Sequence, residues 1–263
     1  MDEILFLTND VNNAQSLKFA HQFANQNRKD LVVAQIGKFE PIRLLTTEPV
    51  MNHHSLQRKQ LNHKTGLSAD ISPRYNNELP LKTIDASCLT ENTLAAHIRQ
   101  KSYAMIISQP GIGGLNLQTV LNQINCPLML LPYNLAIVEI KRMVYLTDLR
   151  FCQQQVLNYL DKFKRSSMLL AHICEPGLPD LVPSYGNELF ADTVGRHASG
   201  PELFFSHIRE SNLEKMIDTL ISTMRTDMLV CLNRRSHFQR ILGEHIPKRL
   251  PDCISVPLLV FPC

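Results

Sequence analysis

Two stretches of this chain interrupt the usual mixture of hydrophobic and polar positions in the same way. Cys126-Pro127-Leu128-Met129-Leu130-Leu131-Pro132 lies near the middle, and Val256-Pro257-Leu258-Leu259-Val260-Phe261-Pro262 lies near the C-terminus. Each is a short unbroken apolar run with a proline on either side. A run that does not alternate predicts a strand buried on both faces. Proline is tolerated at the first residue of a strand, and a second proline stops the run. If each half closes on such a strand, the chain is two copies of one unit.

The rest of the pattern supports a duplication. Ile4-Leu5-Phe6-Leu7 runs into Thr8-Asn9-Asp10, and Met143-Val144-Tyr145-Leu146 runs into Thr147-Asp148. Both predict a buried first strand ending in a polar turn, where Asp, Asn and Thr side chains can bond nearby backbone. Helical spacing follows each: Leu17, Ala20, His21 and Ala24, then Val156, Leu157, Leu160 and Phe163. His21 lies on that apolar stripe and is read as a packed core histidine. Leu31–Ile36 and Met168–Ile173 are parallel second strands, each trailed by Glu-Pro at Glu40-Pro41 and Glu175-Pro176.

The stretch from Ile42 to Pro80 is polar, with a helix expected over His54–Lys64. Its counterpart, Pro179–Pro201, is expected to hold a helix near Asn187–Arg196. Third strands are predicted at Leu81–Asp85 and Leu203–Ile208. The helix after the first starts at Thr90 and buries Leu94, Ala95 and Ile98. The helix after the second starts at a capping box, Ser211-Asn212-Leu213-Glu214. Fourth strands follow at Tyr103–Ile107 and Asp227–Cys231. Strand-helix alternation of this kind predicts parallel sheets flanked by helices.

Composition narrows the class. Over 263 residues, 44 % are apolar and 19 % charged, which suits a globular protein of one large domain or two of ordinary size. A net charge of +3 argues against a nucleic-acid partner. No apolar run reaches the roughly 20 residues of a membrane-spanning helix, and the acidic start Met1-Asp2-Glu3 is not a signal peptide. Seven cysteines without a Cys-x-x-Cys pair point to reduced thiols and a cytoplasmic setting. Cys126 and Cys263 read as core or terminal thiols.

On these residues the chain resembles the universal stress protein family in its tandem form. The resemblance rests on Thr147-Asp148, Thr226-Asp227, Cys126-Pro127 and Val256-Pro257, and on the internal repeat. It implies two Rossmann-like (adenine nucleotide α-hydrolase-like) domains, residues 1–135 and 136–263. Each would hold a five-stranded, mainly parallel sheet flanked by helices, in a pseudo-twofold tandem arrangement. It also implies pairing of the two domains through their closing strands, with a homodimer as a further option.

In the ATP-binding branch of that family, a Gly-x-x-Gly loop after the fourth strand leads, beyond a spacer, to a Gly-Ser or Gly-Thr step. Glycines let backbone approach phosphate, and N–H groups at a helix start bind the anion. The first half keeps Gly111-Ile112-Gly113-Gly114, but the segment to Cys126 is too short for the Gly-Ser step, and Asn9 stands at the aspartate position. Gly111 and Gly114, with Asn9, are a remnant whose plainer reading is a tight turn.

The second half keeps Thr147 and Asp148. Its loop reads Asn233-Arg234-Arg235-Ser236-His237-Phe238 without glycines, and Glu244 follows Gly243 where a hydroxyl residue is expected. Thr147, Asp148, Arg234, Arg235, Ser236 and Gly243 are the candidate nucleotide or anion site, the arginines being able to bind an anion. The plainer reading of the arginines is a solvated helix face.

His53, His54 and His63 lack metal-ligand spacing. No nucleophile–base pair, Walker loop or zinc-protease motif is present, so no residue is assigned a catalytic role and no cofactor or metal is expected. The sequence reads as a stress-response regulator with a degenerate nucleotide site, acting by binding an unidentified partner or ligand. The alternative is a protein that binds ATP or another adenine nucleotide, with weak hydrolysis, through the second half.

Overall fold

The computed structural model describes residues 3–9, 14–37, 69–70, 82–85, 90–136, 139–147, 154–163, 166–173, 183–196, 202–208, 212–233, 241–243 and 245–262. The expected helix at His54–Lys64, the three histidines 53, 54 and 63, and Cys263 fall outside these residues.

The first half contributes β1 (Glu3–Thr8), α1 (Ala14–Gln26), β2 (Asp30–Gln35), β3 (Ala69–Asp70), β4 (Lys82–Asp85), α2 (Glu91–Lys101), β5 (Met105–Ser108), α3 (Leu117–Leu121) and β6 (Leu128–Leu130). The second contributes β7 (Arg142–Thr147), α4 (Gln154–Leu160), β8 (Ser167–Ile173), α5 (Pro183–Arg196), β9 (Glu202–Ile208), α6 (Leu213–Asp218), β10 (Met228–Leu232) and β11 (Leu258–Phe261). A π-helical turn, Thr219–Thr223, prolongs α6.

Five parallel strands in each half, β4-β2-β1-β5-β6 and β9-β8-β7-β10-β11, take the same order. The two sets are not separate sheets. Antiparallel pairing of β6 with β11 joins them into one eleven-stranded sheet, with the short β3 added antiparallel on β4.

The repeated strand order extends to register. Leu5 faces Ile106 as Val144 faces Leu229, and Ile106 faces Leu128 as Leu229 faces Leu258. At the seam Leu258 opposes Leu130, Leu259 opposes Met129, and Val260 opposes Leu128. The two runs are therefore paired symmetrically about the Met129–Leu259 contact. A local twofold axis passes between these two residues, normal to the sheet.

Both faces of the sheet carry an apolar layer that crosses the seam. On one face α2, α3 and α6 cover Leu5, Ile106, Leu128, Val144, Leu229 and Leu258. On the other α1 and α4 cover Phe6, Ile107, Met129, Tyr145, Val230 and Leu259. Period-two alternation within each strand sends successive side chains to opposite layers. Both layers are apolar, which is why the sequence of these strands does not alternate. Each buried Leu or Val contributes about 1.5–3 kcal/mol relative to exposure.

Helix starts follow the local sequence. Thr90 caps α2 reciprocally with Thr93: its hydroxyl accepts from the Thr93 N–H, and the Thr93 hydroxyl accepts from the Thr90 N–H. The cap of α6 is Asn212, whose side chain accepts from Lys215 N at 3.1 Å. This differs from the Ser211-to-Glu214 box read in the sequence, because Asn is at least as good an N-cap as Ser. Helix α5 begins at Pro183, earlier than Asn187. Proline suits a first turn, where its missing N–H is no loss. His21 is half-buried on α1, with Nδ1 at 3.4 Å from the Asn25 amide.

Candidate functional site

In a sheet of this order the strand direction of winding reverses between β1 and β5 and, in the second half, between β7 and β10. Ligands of doubly wound folds sit outside the carboxyl ends of the strands at such a point. Thr8 and Asn9 mark the end of β1, and Ser108 and Gln109 the end of β5. Thr8 and Ser108 are buried and Asn9 is exposed.

The chain itself bridges this crevice in the first half. Gln109 Nε2 donates to the buried Ser16 hydroxyl at 3.1 Å, and the Gln15 amide donates to the Leu135 carbonyl. The glycines of the loop that follows are accounted for by crowding. Gly111, Gly113 and Gly114 all have positive φ, at 73°, 55° and 75°. A Cβ on Gly111 would meet the Lys248 carbonyl oxygen at 2.7 Å; one on Gly113 would meet Ile36 Cγ2 at 2.4 Å. Gly111 and Gly113 need glycine because neighbouring protein approaches them this closely.

The helix start beyond is also taken. Asn116 Oδ1 accepts from the N–H of Gln118 at 3.1 Å and of Thr119 at 3.2 Å. The carboxylate of Glu91, in the first turn of α2, accepts from Asn116 N at 3.0 Å. A carboxylate thus holds the N–H that an anion would need, and α3 is only 5 residues long.

The fourth-strand loops have a second role, because each reaches the opposite half. Gly111 abuts Lys248, and the Tyr133 hydroxyl donates to Pro110 O at 3.1 Å while lying 3.5 Å from Lys248 O. In return Asn233, at the end of β10, meets α3: Gln118 Nε2 donates to Asn233 Oδ1 at 2.9 Å, and Asn233 Nδ2 to Asn122 Oδ1 at 2.8 Å. Each loop braces the segment that precedes the other half's closing strand.

Of the second-half candidates, Thr147 is buried at the end of β7 and Gly243 is exposed with φ 84°. Asp148, Arg234, Arg235, Ser236 and Glu244 lie outside the described residues. A Cβ on Gly243 would meet nothing within 4 Å. Ile241 and Leu242 close a helical segment just before it, and residues 245–257 hold no helix. Gly243 therefore stands in the left-handed position after a helix rather than before one. The structure brings Asn233 to α3.

Thr226-Asp227, part of the motif that carries the resemblance, is structural here. Asp227 Oδ2 accepts from the N–H groups of Lys141 and Arg142, both at 2.9 Å, anchoring the joint to the start of β7. The Thr226 hydroxyl donates to Leu220 O at 2.7 Å. This latch was invisible in the sequence, since its partners lie far along the chain. Among the described residues no group of His, Cys, Asp and Glu could hold a metal ion, and no helix is long and apolar enough to cross a membrane.

No protein-family model matches the chain, and no curated protein matches it. Solved structures do. A universal stress protein from Archaeoglobus fulgidus DSM 4304 superposes with a TM-score of 0.56 at 11% identity, covering 99% of this chain and 96% of that one. A protein assigned to the universal stress proteins from Pseudomonas aeruginosa UCBPP-PA14 gives 0.55 at 12% identity, over 99% and 93%. A functionally unknown protein from Pseudomonas aeruginosa PAO1 gives 0.55 at 12% identity, over 99% and 92%. At such identities the likeness concerns the course of the backbone. With the repeated strand order and register, it establishes that this chain has the fold of the universal stress proteins.

Proposed function

We propose that the protein is a cytoplasmic stress-response regulator of two units, residues 1–135 and 136–263, that acts by binding rather than by turnover. Its first half takes no nucleotide. One observation carries this reading: the glycine loop after β5 is packed against Lys248 and Ile36, while the N–H groups at the start of α3 are engaged by Asn116 and Glu91. An ATP phosphate would have to displace both a carboxylate and the brace between the halves. The fold supports assignment to stress response, and the braced seam supports a role in which the two halves present one surface to a partner.

A second reading has its own observation. Gly243 has open space around it, and Thr147 ends the strand that leads into Asp148. A modified nucleotide or anion site in the second half would use Asp148, Arg234, Arg235 and Ser236. Calorimetric titration with ATP and a magnesium salt separates the two. The regulator reading expects no binding tighter than about 1 mM, or roughly 4 kcal/mol. Micromolar binding abolished by Asp148→Ala would establish the second reading in its place.

A further inference from the structure

A cavity of about 720 Å³ opens at the seam, at the opposite end of the sheet from the nucleotide crevice. Both halves build it. Its floor is apolar and set in the core: Ile4 and Phe23 from the first half, Ile140 from the joint, and Phe163 from the second half are all buried. The walls are packed aromatic rings. Phe23 and Phe163 have centroids 5.8 Å apart across the seam, Tyr159 packs edge-on to Phe261 at 5.3 Å, and the Tyr159 hydroxyl donates to Ala104 O at 3.2 Å. The site is thus preformed, and its volume falls in the range of small-molecule pockets.

The rim is cationic. Arg28, Lys29 and Lys162 line it, with the amides of Asn25 and Asn27 beside them. The Lys162 ammonium stands 4.9 Å over the Tyr159 ring. The single carboxylate among the described lining residues is Glu139, already paired with Lys141 at 3.0 Å. Cations at the ends of α1 and α4 also complement the helix dipoles. That accounts for their sign but not for an apolar cavity between them.

We propose that this seam cavity binds an amphipathic organic anion: an apolar or aromatic body on the Phe23–Phe163 floor and a carboxylate held by Arg28 and Lys162. Burying the body supplies binding energy in proportion to apolar area, and a charge-assisted hydrogen bond from Arg28 orients the head. Because the floor spans both halves, occupancy would stiffen the seam.

Calorimetric titration of the full chain with decanoate, and separately with decanol, tests the assignment. Expected is one site per chain for decanoate, and binding at least tenfold weaker for decanol. Arg28→Glu and Lys162→Glu should each weaken decanoate about tenfold or more, whereas Arg99→Glu, the same charge change on α2 across the sheet, should not. Circular dichroism checks folding; if a reversal unfolds the chain, Arg28→Gln and Lys162→Gln replace it. Absent decanoate binding, equal binding of decanol, affinity unchanged in the Arg28 and Lys162 variants, or equal loss in Arg99→Glu each overturns the proposal.

Discussion

At the scale of single residues, glycine and buried titratable groups give the sharpest expectations. Gly113→Ala adds a Cβ 2.4 Å from Ile36 in a left-handed backbone, whereas Gly243→Ala adds one in open space at φ 84°. The left-handed conformation alone costs about 1–2 kcal/mol. Urea denaturation should therefore show Gly113→Ala as clearly more destabilising than Gly243→Ala. Equal losses would mean that Ile36 yields freely.

Among the described residues, Cys126 and Tyr103 are two groups that make stability fall in alkali. Burial pushes the Cys126 thiol up from 9.0 to about 12, and burial, with Glu3 nearby, pushes the Tyr103 hydroxyl up from 10.0 to about 12. Each is neutral when protonated and holds its proton more tightly in the folded chain. Its contribution is full below the unfolded value and is lost as pH rises toward about 12. Thermal midpoints should drop between about pH 9 and 12, and the drop should shrink in Tyr103→Phe, which removes one of the two groups. The Cys126 thiol should also resist a thiol reagent at pH 8 until the chain unfolds.

At the scale of elements, the helices show what local sequence encodes. Thr90 reads as a start signal, and it is the cap of α2; the residues expected to be buried behind it, Leu94, Ala95 and Ile98, are buried. Thr90→Ala should cost about 1 kcal/mol, and Thr90→Ser much less, in chemical denaturation. The cap of α6 shows the limit of such signals. Ser211 and Asn212 are adjacent good caps, and the choice between them depends on where the chain leaves β9, which no local pattern specifies. The glycine loop is a stronger case. Its spacing announces a tight, left-handed turn but not what crowds it, because Lys248 is remote in sequence and Ile36 lies just past the end of β2. The same limit applies at Asp227, whose partners Lys141 and Arg142 are brought to it only by the sheet.

At the scale of the whole molecule, unbroken apolar runs made the sheet legible. A strand covered on both faces has no polar side to show, so Ile4–Leu7, Leu128–Leu130 and Leu258–Phe261 read as buried strands and are. Two layers that cross the seam carry an energetic consequence. Neither half can unfold without exposing the other's share of both, including Met129 and Leu259, each fully buried. Calorimetry should give one transition, with equal calorimetric and van't Hoff enthalpies. Two resolved transitions would show the halves to be independent. Met129→Lys should lower the stability of both halves together, since a buried unpaired charge costs several kcal/mol wherever it is measured.

The pairing of Met129 with Leu259 on the local axis has one more consequence. In an association of two identical chains, every residue on the axis meets its own copy, and each substitution arrives twice. Here the two partners belong to one polypeptide, so a change arrives once. Side chains of different shape can then face each other at the centre, as methionine faces leucine. The same freedom extends outward: Pro110 accepts from the Tyr133 hydroxyl, while Asn233, in the corresponding place, hydrogen-bonds to α3. A covalent link between the halves turns a self-complementary contact into a complementary one, and lets the two halves differ where they meet.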